Sequence, residues 1–314
     1  MAENTVKKIA TRESYGNSLK ELAEEFPNLV VLDADLAAAT KTGIFRKAYP
    51  DRHIDCGIAE SNMMGVAAGL SLVGKIPFVS SFAMFAAGRA FEQVRNSIGY
   101  PHLNVKIGAT HAGITVGEDG ATHQCNEDIA LMRTIPGMVV MCPSDDVEAR
   151  AAVRAALEYE GPVYIRFGRA AVPVINDHPG YHFEIGKGTV VREGKDVTIV
   201  ATGICVDSAL GAAKMLEEEG ISAEVVNICT IKPLDEEIIL NSAKKTGKVV
   251  TVEEHSVIGG LGSAVCDCLC AHYPVPVKKV GMQDVFGEAG SAAALVEKYG
   301  LDAKGVYKSV KEFL

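Results

Sequence analysis

Short apolar runs rich in β-branched residues alternate with runs of small residues along the chain, and this alternation constrains the fold more than any other feature. Residues 29–32, 76–79 and 138–141 predict buried strands, whereas residues 86–97 predict a helix. Strands that alternate with helices form βαβ units, in which the strands are parallel. The sequence therefore predicts the α/β fold class, with mainly parallel sheets.

The alternation is interrupted over residues 170–195, where proline and glycine supply turn chemistry without helical periodicity. A second series of strands and helices begins at residue 197. A chain of 314 residues also suits two domains, at about 150 residues each. We predict a first α/β domain over residues 1–175, a linker over residues 176–189 and a second α/β domain over residues 190–314.

Composition and charge argue against several classes of function. The net charge is −9, and no run of lysine and arginine is long enough to follow a phosphate backbone, so no nucleic-acid partner is expected. No apolar stretch approaches the roughly 18 residues of a membrane span, and residues 1–4 do not begin a signal peptide. Eight cysteines are too few for a disulfide framework and suit buried thiols in a reducing compartment. Together these features predict a cytoplasmic protein with no membrane partner.

The densest polar cluster is a glycine-rich loop over residues 110–124, which contains His111, His123 and the acidic pair Glu118 and Asp119. It follows a predicted strand, so we expect it at the carboxyl edge of the first sheet, where α/β proteins bind ligands. Histidine donates hydrogen bonds to oxygens and moves protons near neutral pH, so the loop suits polyhydroxylated or phosphorylated ligands. The alternative is a surface loop with two solvated histidines.

Two segments carry residues that bind metals, but neither has a complete ligand set. His111 and His123 show no HExxH or paired CxxC pattern. Cys266 and Cys270 share one face of the helix predicted after the glycine turn at residues 259–262, and no second pair of cysteine or histidine completes four ligands. Buried thiols are the preferred interpretation, and no metal site is predicted.

Five further residues fit a ligand site, although each alone also has a structural explanation. Glu60 lies where a helix is predicted to begin, so its carboxylate either benefits from the helix dipole or is buried and shares a proton. Phe82 and Phe85 are core residues or a flat platform for a heteroaromatic ring. Arg12 and Arg169 are surface residues or bind an anion.

Taken together in order and spacing, these residues resemble the second half of the transketolase family, in register from about residue 8 to residue 310. The resemblance implies a pyrimidine-binding domain followed by the family's C-terminal domain. The loop at residues 110–124 is the most specific match. The other matches are Asp33-Ala34-Asp35-Leu36, Gly57-Ile58-Ala59-Glu60, Phe82 with Phe85, and Val252-Glu253-Glu254-His255.

The resemblance implies thiamine diphosphate as the cofactor. Glu60 would hydrogen-bond nitrogen N1′ of its pyrimidine, on which Phe85 and Phe82 would stack. Asp35 would lie near the cofactor at a subunit interface. The cofactor supplies the nucleophile for transfer of a two-carbon ketol unit from a ketose phosphate to an aldose phosphate.

The resemblance also implies a binding site for sugar phosphates. His111, Asp119 and His123 would bind the hydroxyl and carbonyl groups of the donor sugar, and the two histidines would relay protons. Arg12 and Arg169 would hold the phosphate.

Two positions depart from the family pattern. Ala39 stands where the family has a serine for the acceptor phosphate, so either Thr40 or Lys41 takes over that contact or the acceptor preference differs. Asp33 stands where the larger enzymes have serine, and the sequence gives no reason for it.

One part of the family's cofactor site is missing. The Gly-Asp-Gly and Asn-Asn motifs, through which the family holds Mg²⁺ and the diphosphate, do not occur in the sequence. A full transketolase would also be nearly double in length. The resemblance therefore implies a split enzyme, with this chain as its C-terminal subunit and a separate N-terminal subunit that supplies the metal ligands. We expect self-association as a homodimer or an α2β2 heterotetramer, and we expect the chain alone to be inactive.

Four alternatives remain open. A 1-deoxyxylulose-5-phosphate synthase-like half shares the Gly-Ile-Ala-Glu string but has no histidine at the position of His111, and 2-oxoacid dehydrogenase β subunits lack the Glu-Asp-Gly-x-Thr-His loop. A non-catalytic partner subunit is disfavoured because Glu60 and Phe85 are both present. A metal-binding protein built on residues 266–272 would carry stoichiometric zinc.

Overall fold

The computed structural model describes residues 7–314, and residues 1–4, over which no signal peptide is predicted, lie outside that range. Within residues 7–314, no helix is both long enough and apolar enough to cross a membrane. The strands are β1 (Lys8–Ala10), β2 (Leu29–Asp33), β3 (His53–Asp55), β4 (Ile76–Phe82), β5 (Lys106–Thr110), β6 (Val139–Met141), β7 (Val163–Arg166), β8 (Ala171–Pro173), β9 (Thr189–Arg192), β10 (Val197–Ala201), β11 (Ala223–Asn227), β12 (Thr230–Lys232), β13 (Val249–Ser256) and β14 (Val277–Met282).

The α-helices lie between and around these strands, and four other helical turns complete the secondary structure. Pro50–Arg52 and Ile114–Asp119 are 3₁₀ turns, and Met84–Arg89 and Val94–Gly99 are wider π turns. The α-helices are α1 (Thr11–Leu22), α2 (Ala37–Thr40), α3 (Gly43–Ala48), α4 (Glu60–Leu72), α5 (Phe91–Gln93), α6 (Asp128–Arg133), α7 (Asp146–Glu158), α8 (Cys205–Glu218), α9 (Glu236–Thr246), α10 (Leu261–His272), α11 (Ala292–Lys298) and α12 (Ala303–Phe313).

The first sheet has seven strands in the order β12-β6-β7-β5-β4-β2-β3, all parallel except the edge strand β12. Asp33 lies opposite both Ser80 and Asp55, and Phe82 lies opposite Thr110. Neighbouring strands therefore end close together, so the residues that follow them meet at one carboxyl edge.

Helices cover both faces of this sheet because its strands are apolar on both faces. Every residue of β2 and β5 is buried, which is typical of a parallel sheet between two helical layers. Helices α1 and α3 pack on one face through Tyr15 and Phe45. Helix α4 and the helical segment 84–99 pack on the other face through Met63 and Val94.

The second sheet has five strands in the order β14-β13-β10-β11-β9, of which only β9 is antiparallel. Helices α8 and α12 pack against it through buried residues that include Ala209, Leu216 and Val306. The predicted fold class, two α/β domains with mainly parallel sheets, is confirmed.

Strand β12 belongs to the second part of the chain but extends the edge of the first sheet, where it pairs antiparallel with β6. The sequence analysis predicted no strand there, because three residues are too few to show an alternation. The pairing covers backbone groups of β6 that an open edge would leave exposed. Residues 230–232 therefore hold the two parts of the chain together.

The structure corrects one expectation about the cysteines. Five of them are buried, including Cys268, but Cys266 is only half-buried and Cys270 is exposed. Helix α10 packs on its sheet through the face that carries Val265 and Cys268, so the face shared by Cys266 and Cys270 points outward. Within residues 7–314, no group of three or more histidine, cysteine, aspartate or glutamate side chains could hold a metal ion.

Candidate functional site

The candidate site lies at the carboxyl edge of the first sheet. Strands β2, β3, β4 and β5 end there side by side, and the polar segments singled out in the sequence follow them. This is the edge at which open α/β sheets bind ligands. The sheet therefore brings together the segments that contain Asp35, Glu60, Phe85 and His111.

Glu60 is the first residue of α4 and is only 2% exposed. A carboxylate at a helix N-terminus is stabilised by the unpaired backbone N–H groups of the first turn. Glu60 lines a cavity of about 220 Å³ together with Asp35, Phe85 and Arg89. Three of the predicted cofactor-binding residues therefore share one cavity.

Asp55 joins the two turns that carry Asp35 and Glu60, although the sequence analysis assigned it no role. Its Oδ1 accepts hydrogen bonds from the backbone N–H groups of Asp35 at 3.1 Å and Gly57 at 2.9 Å. Asp35 and Gly57 both have positive φ, at 59° and 66°. A signal was present, because an aspartate two residues before a glycine favours such a turn.

The structure gives a reason for Asp33, which the sequence left unexplained. Its side chain is fully buried at the end of β2. Oδ1 accepts a hydrogen bond from the backbone N–H of Leu36 at 3.1 Å, and Oδ2 lies 2.7 Å from His53 Nε2. Asp33 therefore holds the turn that presents Asp35 to the cavity.

Arg89 is a site residue that the sequence analysis missed. Its Nη1 donates to both carboxylate oxygens of Glu60, at 3.0 and 2.9 Å. Its guanidinium carbon lies 4.5 Å from the centroid of the Phe85 ring. Arg89 ends a π turn, in which residues are offset from ordinary helical spacing, so helical periodicity could not place it next to Glu60.

Four rings connect the phenylalanine platform to the histidine loop. Phe82 stacks on Phe85 with centroids 5.9 Å apart and on His111 with centroids 3.9 Å apart. His123 meets Phe85 edge-on at 5.5 Å. Strand β4 includes Phe82, whereas Phe85 lies in the following turn, and this break lets both rings face the loop.

His111 is held as a neutral imidazole. Arg12 Nη1 lies 3.1 Å from His111 Nε2, and because arginine only donates, Nε2 must accept. Nδ1 therefore carries the proton and donates to Thr110 Oγ1 at 2.9 Å. Burial first, and then the charges of Arg12, Arg169 and Lys41, lower the pKa of His111 to about 3.

A two-stranded ribbon brings Arg12 and Arg169 together. Ala10 of β1 pairs with Ala171 of β8, so the residues just after β1 and just before β8 are neighbours. Arg12 Nη1 donates to the Ala39 carbonyl at 2.9 Å, but its buried Nε has no hydrogen-bond partner within residues 7–314. Burial, and then the charge of Arg169, lower the pKa of Arg12.

Arg169 also contacts the acidic pair of the histidine loop. Its Nη1 lies 3.5 Å from Glu118 Oε2 and 3.6 Å from Asp119 Oδ2, and it donates to the Val116 carbonyl. The Arg169 side chain is partly exposed, so these contacts are exchangeable with a ligand. The structure therefore places Asp119 and Arg169 in one charged cluster.

The side chains of Thr40 and Lys41 both have partners within the chain. Thr40 is fully buried, and its hydroxyl donates to the Leu36 carbonyl at 3.0 Å. Lys41 Nζ pairs with Glu13 Oε1 at 3.3 Å. The Thr40 hydroxyl is therefore already bonded inside the turn after β2, next to the Ala39 carbonyl that Arg12 contacts.

The second domain supports the histidine loop. Glu254 Oε1 accepts a hydrogen bond from the backbone N–H of Thr115 at 2.7 Å, and Arg166 lies 3.8 Å from Glu254 Oε2. A side chain at Gly113, where φ is +73°, would overlap the Glu254 carboxyl group. Glu253 instead caps α10, by accepting from the backbone N–H of Leu261 at 2.7 Å. These contacts give the 252–255 motif a structural role.

Comparisons with known proteins extend over nearly the whole chain. The family model described as "Transketolase, pyrimidine binding domain" matches residues 7–174. The family model described as "Transketolase, C-terminal domain" matches residues 186–306.

Individual relatives are similar over their whole length. A protein of Methanocaldococcus jannaschii, named as a transketolase C-terminal section, is 51% identical, with 96% of this chain and 95% of that protein covered. The 6-deoxy-6-sulfo-D-fructose transketolase subunit of a Clostridium species is 49% identical, with 96% and 93% covered. A solved structure described as "Split gene transketolase, inactive beta4 tetramer" has a TM-score of 0.89 and 58% identity, with 98% of each chain covered.

Proposed function

We propose that this chain, which belongs to the transketolase family, is the C-terminal subunit of a split transketolase that depends on thiamine diphosphate. It would transfer a two-carbon ketol unit from a ketose phosphate to an aldose phosphate, together with a separate N-terminal subunit. The observation that carries this proposal is the cavity in which the buried carboxylate of Glu60 meets Phe85 and Asp35. The histidine loop lies beside it, joined through the stacked rings of Phe82 and His111.

The residues present fit one half of the cofactor. A buried carboxylate and an aromatic face in one cavity suit a flat, nitrogen-containing ring that both hydrogen-bonds and stacks. Glu60 would hold the ring nitrogen, and Phe85 would support the ring. The cofactor supplies the nucleophile that carries the two-carbon unit.

The other half of the cofactor needs oxygen ligands for Mg²⁺ beside the diphosphate. The Gly-Asp-Gly and Asn-Asn motifs are absent from the sequence, and residues 7–314 hold no group of side chains suited to a metal ion. We therefore assign the metal and diphosphate contacts to the N-terminal subunit. The relative described as an inactive tetramer of β chains supports this division.

The two histidines have different roles in this proposal. His111 is neutral, so it does not store a proton near neutral pH. Both of its nitrogens are hydrogen-bonded in the free chain, so a sugar hydroxyl would donate to Nε2 in place of Arg12. His123 is half-buried and hydrogen-bonded only at Nδ1 within the described residues, to Thr122 Oγ1 at 3.0 Å. We assign the proton relay to His123.

Arg12 and Arg169 form the anion-binding part of the proposed substrate site. The unpaired Nε of Arg12 is a buried donor that a ligand oxygen would satisfy. In the free chain Asp119 pairs with Arg169. When a phosphate binds the Arg169 guanidinium, the Asp119 carboxylate would be free to accept a hydrogen bond from a sugar hydroxyl. Sugar phosphates are the substrates we propose, although the Clostridium relative is named for a sulfo sugar.

The outer face of α4 is the surface we propose for the N-terminal subunit. Gly65 and Gly69 lie one turn apart with open space above them, and Val66 beside them is 36% exposed. Ile58, which lines the Glu60 cavity, is 76% exposed. Small and apolar residues at this spacing allow another helix to approach closely, next to the site that the N-terminal subunit would complete.

The remaining parts of the proposal concern organisation and setting. We propose domains over residues 1–175 and 190–314 with a linker at 176–189, self-association as a homodimer or an α2β2 heterotetramer, and a role in pentose phosphate metabolism. All eight cysteines are free, which supports a reducing compartment, and we propose the cytoplasm.

The direct test of the site is Glu60→Gln in the complex with the N-terminal subunit. A glutamine keeps the shape but cannot serve as the charged partner of the ring, so we expect ketol transfer to fall by about 100-fold or more. Glu158→Gln, which alters an exposed carboxylate on α7, is the matched control and should leave the rate unchanged. Equal rates for the two variants would overturn the assignment.

A further inference from the structure

Arg89 occupies the part of the cavity that the proposed function gives to the pyrimidine ring. We infer that Arg89 is a placeholder, which binds Glu60 and Phe85 while the cofactor is absent and is displaced when the cofactor binds. This inference rests on the proposed function and adds to it a residue that controls loading of the same site.

The contacts of Arg89 are the two that the ring would make. Its guanidinium is planar, donates to both oxygens of Glu60 and lies over Phe85 at 4.5 Å from the ring centroid. Stacked aromatic rings have centroids about 4.5–7 Å apart, so the guanidinium fills the space of a stacked ring. A pyrimidine that made both contacts from this side of Phe85 would need the space that the guanidinium occupies.

Arg89 is the member of this group that can move. Its side chain is 52% exposed, whereas that of Glu60 is 2% exposed and fixed at the start of α4. Arg89 also lines a second, wide-open cavity of about 640 Å³, together with Met84, Thr122 and Phe286. The guanidinium therefore has open space to enter when it leaves Glu60.

Arg89 provides a partner for the buried carboxylate of Glu60 before the cofactor binds. A buried carboxylate without a partner destabilises the folded chain, so Glu60 needs a cation or a donor before the cofactor arrives. The arginine supplies one through a contact that is partly open to water and is therefore weak enough to exchange. The consequence is that the apparent affinity for the cofactor is reduced by the fraction of chains in which Arg89 covers the site.

The test measures binding of thiamine diphosphate with Mg²⁺ to the complex with the N-terminal subunit, by calorimetry and by stopped-flow kinetics. Arg89→Ala should lower the dissociation constant about five- to tenfold and speed association, because an ion pair that is open to water on the arginine side and a cation–π contact no longer compete. Arg89→Lys should stay closer to the wild type, because it keeps the charge. Arg95→Ala, on the neighbouring π turn, is the matched control and should not change binding.

A double-mutant cycle with Glu60→Gln separates displacement from a general effect on folding. In that background the carboxylate is gone and only the contact with Phe85 remains, so the effect of Arg89→Ala on the dissociation constant should shrink to about twofold. If the wild-type complex binds cofactor and Arg89→Ala binds it no more tightly than the wild type, the placeholder role alone is overturned. A wild-type complex that binds no cofactor would overturn the proposed function and the placeholder role together.

Discussion

The carboxylate of Glu254, on the second sheet, accepts a 2.7 Å hydrogen bond from the backbone N–H of Thr115, in the loop between His111 and His123. The second domain thus fixes the loop that carries the proposed substrate contacts. Glu254 is buried, and its Oε2 lies 3.8 Å from the buried guanidinium of Arg166. One side chain therefore links the stability of the domain contact to the geometry of the site.

Replacing Glu254 by alanine should destabilise the chain and loosen the loop. The change leaves Arg166 with less negative charge around it and the Thr115 N–H without an acceptor, at a cost of about 3 kcal/mol in the free energy of unfolding. Urea unfolding measures the loss, and hydrogen exchange should accelerate over residues 113–117. Asp267→Ala removes an exposed partner of Arg133 and should cost less than about 0.5 kcal/mol. Similar losses in the two variants would contradict the supporting role of Glu254.

His111 should not titrate near neutral pH. Its pKa is lowered to about 3 from the ordinary 6.5, so between these values the unfolded chain binds a proton that the folded chain does not. The stability contributed by neutral His111 is therefore complete above pH 6.5 and is lost as the pH falls toward 3. Nuclear magnetic resonance of the imidazole should show no transition between about pH 5 and 8. A midpoint near 6.5 would show that burial and the charge of Arg12 do not control this ring.

The two arginines should contribute unequally to substrate binding. Arg12→Ala removes a charged donor with an unpaired buried Nε, so we expect KM for a phosphorylated donor to rise about 10- to 100-fold. Arg169→Ala should raise it less, because Glu118 and Asp119 already share that guanidinium. A donor sugar without phosphate is the control, since its KM should barely respond. Equal changes in KM for both donors would argue against a phosphate site at Arg12.

Two substitutions at Gly65 should act on different properties: one on the stability of the chain, the other on its association with the N-terminal subunit. A Cβ there meets nothing within 4 Å, so Gly65→Ala should stabilise the chain by about 0.5–1 kcal/mol, as alanine does in a helix. Gly65→Leu should weaken association with the N-terminal subunit at least about tenfold, because the side chain blocks close helix packing. Glu218→Leu places an exposed leucine on α8 and serves as the control. Unchanged association of Gly65→Leu would remove α4 from the interface.

Local patterns in the sequence were sufficient to predict the two α/β domains and most of the strands near the site. Alternation of apolar runs is a short-range signal, so it identifies the individual strands and helices of a buried parallel sheet from the local sequence alone. The start of α4 at Glu60 and the turn before α10 follow from such local signals. Asp35, Glu60 and Phe85, which the cavity brings together, were predicted by order and spacing through the family resemblance.

Contacts between distant segments could not be predicted in the same way. Arg89 reaches Glu60 from a π turn, and β12 joins a sheet whose other strands lie far earlier in the chain. The neutral state of His111 depends on its burial and on Arg12, which the β1–β8 ribbon places beside it. None of these three pairings has a periodic signal, because each depends on how separate elements pack.

The central claim, that this chain provides one half of a transketolase site, is tested most directly by complementation. Ketol transfer from xylulose 5-phosphate to ribose 5-phosphate would be measured with thiamine diphosphate and Mg²⁺, using this chain alone, the N-terminal subunit alone and the mixture. We predict transfer only in the mixture, with loss of that activity in Glu60→Gln. Transfer by this chain alone would contradict the account, because it would require a diphosphate and metal site within the chain itself.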